Sequence, residues 1–295
     1  MRALVIGASG QIGGHLRSQL LARGDEVVGT YGSVAQPGLR ALDLEDPDAA
    51  CALVAEVRPD VVLLPAGWTW VDGNEDDRAR SFLLNCEVPR RIAEACRDVG
   101  AVFVTYSTDY VFDGAAGPYA EDDPVHPLNV YGEAKLQAER ELQATGAECL
   151  VLRTTTVYGP ETQGKNFVYQ LVRRLRAGQP FKIPSDQVAT PSYGPDVAAA
   201  TLGLLERGAR GVWHVAGPDV LDRAAFALVA CDVFDLDYDA IEVKTTAELG
   251  QRAERPLLAG LKTDKLRAAG LQVRGVREGL QAMHAAIEAG EAVAP

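Results

Sequence analysis

The residues Ala3-Leu4-Val5-Ile6, followed at once by Gly7-Ala8-Ser9-Gly10-Gln11-Ile12-Gly13, restrict this chain to very few architectures. A short, wholly apolar run reads as a buried strand. The Gly-x-x-Gly-x-x-Gly spacing after it gives a tight turn, a close backbone approach and a helix packed hard on the strand. That helix reads over residues 11–23 and stops at Gly24. Its N-terminus offers free amides and a partial positive charge, the local chemistry that holds a pyrophosphate.

The pattern then repeats. Apolar runs at 26–30, 39–42, 60–64, 101–106, 148–153 and 211–215 alternate with helical stretches at 47–57 and 75–99, the latter broken near Pro89, and a helix carrying Tyr131. Continuous apolar strands separated by helices predict an α/β fold, a doubly wound parallel sheet covered on both faces. Right-handed crossovers place ligands at the C-terminal ends of its strands. From residue 221 the chain reads as mainly helical, with one short strand at 241–243. Residues 1–155 and 191–217 are therefore expected to form a dinucleotide-binding domain. Residues 156–190 and 218–295 are expected to form a smaller, mostly helical substrate lobe.

The bulk numbers exclude several functions. A formal net charge of -12, from 29 Lys and Arg against 41 Asp and Glu, repels nucleic acid and anionic lipid. The longest apolar runs fall far short of a membrane span, and the first leads into glycines as no signal peptide does. Cys51, Cys86, Cys96, Cys149 and Cys231 are odd in number and form no Cys-x-x-Cys pair, which fits reduced residues in a cytoplasmic protein. The segment from Gly159 to Asn166 imitates a Walker loop. Asn166 stands where the Mg²⁺-binding hydroxyl belongs, which argues against nucleoside triphosphate hydrolysis.

Three further places bear on the cofactor. The second strand ends Gly29-Thr30-Tyr31 without the carboxylate that selects NAD by binding the ribose 2′-OH, so NADP(H) is favoured and NAD(H) possible. Arg40 is a candidate for the 2′-phosphate. Asp43 and Leu44 are candidate adenine contacts, with helix capping the alternative for Asp43. Pro65-Ala66-Gly67 is small enough to let backbone approach the cofactor ribose, and Asn85 binds either ribose or backbone. The reacting end is marked by Ser107-Thr108-Asp109-Tyr110-Val111-Phe112 at the end of an apolar strand, then Tyr131 and Lys135. Residues four apart share a helix face, so a phenol and an ammonium can serve one site. A nearby ammonium lowers the cost of ionising a phenol. Together they suit hydride chemistry on a carbonyl.

With these residues in view, the chain resembles the extended short-chain dehydrogenase/reductases, and within them the dTDP-4-dehydrorhamnose reductases. The likeness runs over nearly the whole length: the first glycines, Asp43, Val71-Asp72, Asn85, the Ser107–Phe112 run, Pro127 to Gly132, Lys135, Arg153-Thr154, Val157-Tyr158-Gly159, Asp186-Gln187, Thr190-Pro191, Arg255-Pro256 and Thr263-Asp264-Lys265. The resemblance implies that Thr108 hydrogen-bonds the substrate carbonyl and that Tyr131 delivers the proton. It implies that Lys135 holds the nicotinamide ribose and lowers the Tyr131 pKa. Asp109 would contact a sugar hydroxyl, with Val111 and Thr156 lining the sugar pocket. It implies a nucleotide-sugar substrate and allows a homodimer; no carboxylate cluster points to a metal.

The departures fall at the substrate end. Leu64-Pro65-Ala66-Gly67 replaces the usual Asn-Ala-Ala-Ala, Thr156 replaces a tryptophan, and Trp68 and Trp70 appear where relatives carry smaller residues or His. Two other readings stand beside reduction. One is a non-catalytic NADP-binding subunit like the regulatory subunit of methionine adenosyltransferase; the other is a nucleotide-sugar epimerase or dehydratase. A single carboxylate after Thr108, where dehydratases place an acidic pair, sets reduction ahead.

Overall fold

The computed structural model describes residues 1–291. The chain runs β1 (Arg2–Val5), α1 (Gln11–Ala22), β2 (Glu26–Tyr31), β3 (Leu39–Ala41), α2 (Pro47–Val57), β4 (Val61–Leu64), α3 (Val71–Asp76), α4 (Arg78–Phe82), α5 (Val88–Val99), β5 (Val102–Thr108), α6 (Val130–Ala144) and β6 (Cys149–Thr154). It continues through β7 (Val157–Tyr158), α7 (Phe167–Arg176), β8 (Phe181–Pro184), β9 (Val188–Ala189), β10 (Ser192–Tyr193), α8 (Gly194–Glu206) and β11 (Gly211–His214). The last elements are β12 (Leu221–Asp222), α9 (Arg223–Phe234), β13 (Ile241–Lys244), α10 (Thr246–Leu249), α11 (Asp264–Ala268) and α12 (Val276–Glu288).

Seven strands form one sheet in the order β11-β6-β5-β4-β1-β2-β3, with every neighbouring pair parallel. This is a Rossmann-like doubly wound sheet. The period of two along β1 explains its two covered faces: Ala3 and Val5 enter one buried cluster with Leu16, Leu20 and Val197, while Leu4 and Ile6 enter another with Val54, Val88 and Ile92. From β1 the chain passes to β2 on one side, and after β3 it crosses back through α2 to β4 on the other, so a crevice opens above the C-terminal end of β1.

The segment 156–190 and the C-terminal stretch pair with each other. β8 runs parallel to β13, and β9 runs antiparallel to β12. The strand expected at 241–243 spans Ile241–Lys244, and β12 is an additional two-residue strand; residues 292–295 of the expected lobe lie outside the described residues. All five cysteines are free thiols. No helix among the described residues is long and apolar enough to cross a membrane.

The long helix expected over 75–99 is divided differently. It breaks at Asp77, whose side chain caps α4 by accepting from the Arg80 amide. Leu83–Glu87 then forms a wide π-type turn, closed where the Val88 amide donates to the Leu83 carbonyl. Pro89 sits in the first turn of α5, where a missing N–H is tolerated. The adjustment to proline is made one turn earlier, as a widening rather than a break.

Candidate active site

The glycine turn is built as its spacing requires. Gly7 has φ +91°, and a Cβ on it would lie 2.7 Å from Ala66 Cβ, so the ends of β1 and β4 touch. On Gly13 a Cβ would lie 2.1 Å from the Gly7 carbonyl oxygen, which only glycine permits. Gly10 caps α1 without a side-chain acceptor, and no acidic residue sits in the first turn. The helix end is therefore electrostatically open to an anion. Gln11 begins the helix with its side-chain Nε2 buried and unpartnered, and Ile12 packs half-buried on the core. These features fit a dinucleotide pyrophosphate. The Gly159–Asn166 loop lies over the turn: Gln163 donates to the Ser9 carbonyl at 2.7 Å, and His15 Nε2 lies 2.8 Å from the Pro160 carbonyl oxygen. Its Walker-like amides are already filled, since Glu161 accepts from the Lys165 and Asn166 amides at 2.8 and 2.7 Å.

The other expected cofactor residues divide. Thr30 is buried and its hydroxyl accepts from the Gly7 amide at 3.1 Å, bracing the turn. Asp43 is exposed and accepts from the Glu45 amide; Asp46, not Asp43, caps α2. Leu44, Pro65 and Ala66 are half-buried and Gly67 exposed at the strand ends. Arg40 lies beside Thr30 in the pairing of β2 with β3, and its exposed guanidinium meets Glu56 of α2 at 2.8 Å. Asn85 is fully buried within the π-type turn. Its oxygen accepts from the Trp68 amide at 3.1 Å; its nitrogen donates to the Trp68 carbonyl and to Asn74 Oδ1, both at 3.1 Å. Its polar atoms thus fix the loop after β4, and Trp68 beneath Arg80 and the 63% exposed Trp70 ride on that loop.

At the end of β5 the reacting groups converge. Asn129 caps α6 by accepting from the Gly132 amide at 2.9 Å, which starts the helix one residue before Tyr131. Gly132 carries no Cβ because one would lie 2.2 Å from the Tyr110 carbonyl oxygen. Tyr131, Lys135 and Thr108 are all buried. The Tyr131 phenol is held well above its ordinary pKa, first by burial and then by Asp109, with the Thr108 hydroxyl opposing. The expected depression by Lys135 is not found: Lys135 Nζ donates to the Tyr106 carbonyl at 3.0 Å, and burial lowers its own pKa to about 8, with Glu139 opposing. A phenol that stays protonated is the form that can deliver a proton.

Asp109 accepts from Thr155 at 2.6 Å and from Thr108 at 3.1 Å, while burial lifts its pKa to about 6. Thr156, expected in the sugar pocket, is half-buried with φ +42°, a conformation that costs a β-branched residue dearly. Val111 does not line a pocket with its side chain. It is fully buried with Phe112, Tyr119 and Leu261, because the single turn Asp109–Val111 rotates it inward. Behind the site, Glu139 accepts from Ser107 at 2.5 Å and from Arg153 Nη2 at 2.6 Å, a buried network one helical turn below Lys135. Thr155 and Glu139 were missed from sequence; Glu139 alone carried a signal, four residues after Lys135 on the same face.

A phosphate-cradling turn and a buried Thr-Tyr-Lys set on one doubly wound sheet define an extended short-chain dehydrogenase/reductase. The family model described as "RmlD substrate binding domain" matches residues 1–289, and the chain belongs to that family. It is 34% identical to the dTDP-4-dehydrorhamnose reductase of Mycobacterium tuberculosis over 277 residues, covering 92% of this chain and 88% of the relative. It is also 34% identical to a probable low-salt glycan biosynthesis reductase of Haloferax volcanii, covering 87% and 88%. Among solved structures, a dTDP-4-dehydrorhamnose reductase from Bacillus anthracis in complex with NADP superposes with TM-score 0.88 at 27% identity, covering 96% of this chain and 98% of the other. One from Clostridium acetobutylicum gives TM-score 0.88 at 29% identity, covering 98% and 100%.

Proposed function

We propose that this chain reduces a 4-keto-6-deoxy nucleotide sugar of the dTDP-4-dehydrorhamnose type, using NADPH in preference to NADH. The observation that carries the reading is the buried convergence of Thr108, Tyr131 and Lys135 at the end of β5, beside the glycine turn at the end of β1. A nicotinamide held there would supply the hydride to the carbonyl carbon. The Thr108 hydroxyl turns its proton from Asp109 to the carbonyl oxygen, and Tyr131 gives that oxygen its proton as negative charge develops. Burial keeps the phenol protonated at neutral pH, ready for that transfer. Lys135 adds positive charge beside the nicotinamide ribose. Asp109, oriented by Thr155, accepts from a sugar hydroxyl. The NADPH preference rests on the lack of a carboxylate at Gly29-Thr30-Tyr31 to repel a 2′-phosphate, and on the relative solved with NADP.

The test is cofactor oxidation followed spectrophotometrically with NADPH and NADH against dTDP-, UDP- and GDP-linked 4-keto sugars. Turnover with one of these, lost at least a hundredfold in Tyr131→Phe while NADPH still binds, supports the reading. Undiminished turnover in Tyr131→Phe refutes the assigned proton donor. Failure of the wild-type protein to oxidise either cofactor with any of the sugars refutes the function.

A further inference from the structure

The loop from Gly32 to Gly38, which joins β2 to β3, carries no charged side chain. In a doubly wound sheet the adenosine ribose of a dinucleotide lies over the end of the second strand, with its 2′ position turned toward that loop. A 2′-phosphate placed there meets no cation from β2 or from the loop itself. Arg40 of β3 is exposed and paired with Glu56 at 2.8 Å. A charge free to meet the phosphate has to come from another element.

Arg17, in the middle of α1, brings one. Two close approaches fix its course. A Cβ on Gly29 of β2 would lie 3.5 Å from Arg17 Cδ and 2.9 Å from Ala8 Cβ, so the arginine stem and the glycine turn meet on the same face of the strand. A Cβ on Gly38 would lie 3.4 Å from Arg17 Nη2, so the guanidinium has reached the loop. The side chain is half-buried. Among the described residues, no carboxylate oxygen lies within 4.0 Å of it and none of its side-chain N–H groups has a hydrogen-bond partner. A guanidinium held by its stem, with its fork of donors unused, is prepared for a phosphate. The walls around it are fixed as well. Gln36 of the loop donates to Thr162 Oγ1 at 2.9 Å, and Gln163 donates to the Ser9 carbonyl of the glycine turn at 2.7 Å. One segment thus ties together the loop and the turn.

We infer that Arg17 binds the adenosine 2′-phosphate and is the residue that selects NADP(H) over NAD(H), an assignment that rests on the NADPH reading above. The missing carboxylate at Gly29-Thr30-Tyr31 only removes a repulsion; Arg17 supplies the attraction. A protein of net charge -12 repels a phosphate dianion overall, so a preference for the phosphorylated cofactor needs a local cation. That cation comes from the first helix, reaching across the second strand, and not from the strands themselves.

The experiment is calorimetric titration of the intact protein with NADP⁺ and NAD⁺, in wild type, Arg17→Lys and Arg17→Met. Methionine keeps an apolar cover over Gly29 and removes the fork of donors. Arg17→Met should weaken NADP⁺ binding about 10–100-fold and leave NAD⁺ binding unchanged. Arg17→Lys keeps the charge without the fork and should fall between wild type and Arg17→Met. A merely structural role would weaken both dinucleotides alike, and that result overturns the assignment. So does an NADP⁺ preference that survives intact in Arg17→Met, or a wild-type protein that binds the two cofactors equally. Cofactor oxidation with keto sugars separates this failure from that of the reductase reading: turnover by the wild-type protein, with the preference unmoved in Arg17→Met, keeps the reaction and removes only Arg17 from it.

Discussion

Lys135 should make the protein less stable at neutral pH, and removing its charge should reverse that. Its ammonium is buried, donates to the Tyr106 carbonyl at 3.0 Å, and has a pKa lowered from 10.5 to about 8. That difference corresponds to about 3 kcal/mol of destabilisation wherever both native and unfolded chains carry the proton. Lys135→Met abolishes the penalty and gives up one hydrogen bond worth about 1 kcal/mol. The variant should therefore be more stable than wild type by about 2 kcal/mol at pH 7. The sign follows from proton counting. Between about pH 8 and 10.5 the unfolded chain keeps the lysine proton and the native protein has lost it, so wild-type stability rises with pH relative to the variant. Above that window the penalty has gone and only the lost hydrogen bond remains, so the order of stabilities inverts. Urea denaturation of both proteins from pH 6.5 to 11 reads this directly, since other titrating groups cancel in the difference. A variant less stable than wild type at pH 7, or a difference that does not change with pH, would refute the reasoning.

Other consequences are equally specific. Gly13→Ala places a Cβ 2.1 Å from the Gly7 carbonyl oxygen, so it should cost about 1–3 kcal/mol in urea denaturation and weaken NADPH binding measured by fluorescence titration. Thr156→Gly should raise stability by up to about 1 kcal/mol, because a left-handed β-branched residue gives way to one that tolerates φ +42°. Arg153→Met leaves Glu139 buried without its cation and should cost about 3–5 kcal/mol; a loss under 1 kcal/mol would show that the pair is dispensable. With the Asp109 pKa at about 6, kcat/KM should rise with pH through that value as the carboxylate forms, and Asp109→Asn should remove this limb from the pH profile.

How much was legible from the chain depends on the range over which each feature is encoded. The sheet, its covered faces and the glycine turn follow from patterns a few residues long, such as the alternation of Ala3 and Val5 against Leu4 and Ile6. The Tyr131–Lys135 pair is legible because helical geometry alone places the two on one face. Val111 was placed in the sugar pocket by resemblance alone, which does not disclose that its side chain packs in a buried cluster with Phe112, Tyr119 and Leu261. The ion pair of Arg40 was not legible because its partner, Glu56, lies on the neighbouring helix, outside the local pattern. The helix over 75–99 was misread because proline can be absorbed by a widened turn as well as by a break. Thr155 gains its meaning only from Asp109, which is 46 positions away in sequence.

The distribution of uncompensated charge gives a further reason to place the chemistry here. Elsewhere in the protein, buried ions are neutralised: Arg153 has Glu139, Arg255 has Asp72, and His214 is held neutral by burial, with its pKa lowered to about 3. The exceptions among the described residues are Lys135 and Asp109, each shifted mainly by desolvation and each without an ion-pair partner within 4.0 Å. Thr108, Thr155 and the Tyr106 carbonyl temper these costs with hydrogen bonds without cancelling charge. Burying two unpaired ionisable groups lowers stability, so their gathering is hard to explain by folding alone. A ligand with a hydroxyl for Asp109, beside a cofactor ribose for Lys135, would offset both at once. A cofactor and an anionic sugar substrate should accordingly stabilise the protein more together than the sum of each alone, which calorimetric melting with both ligands would measure.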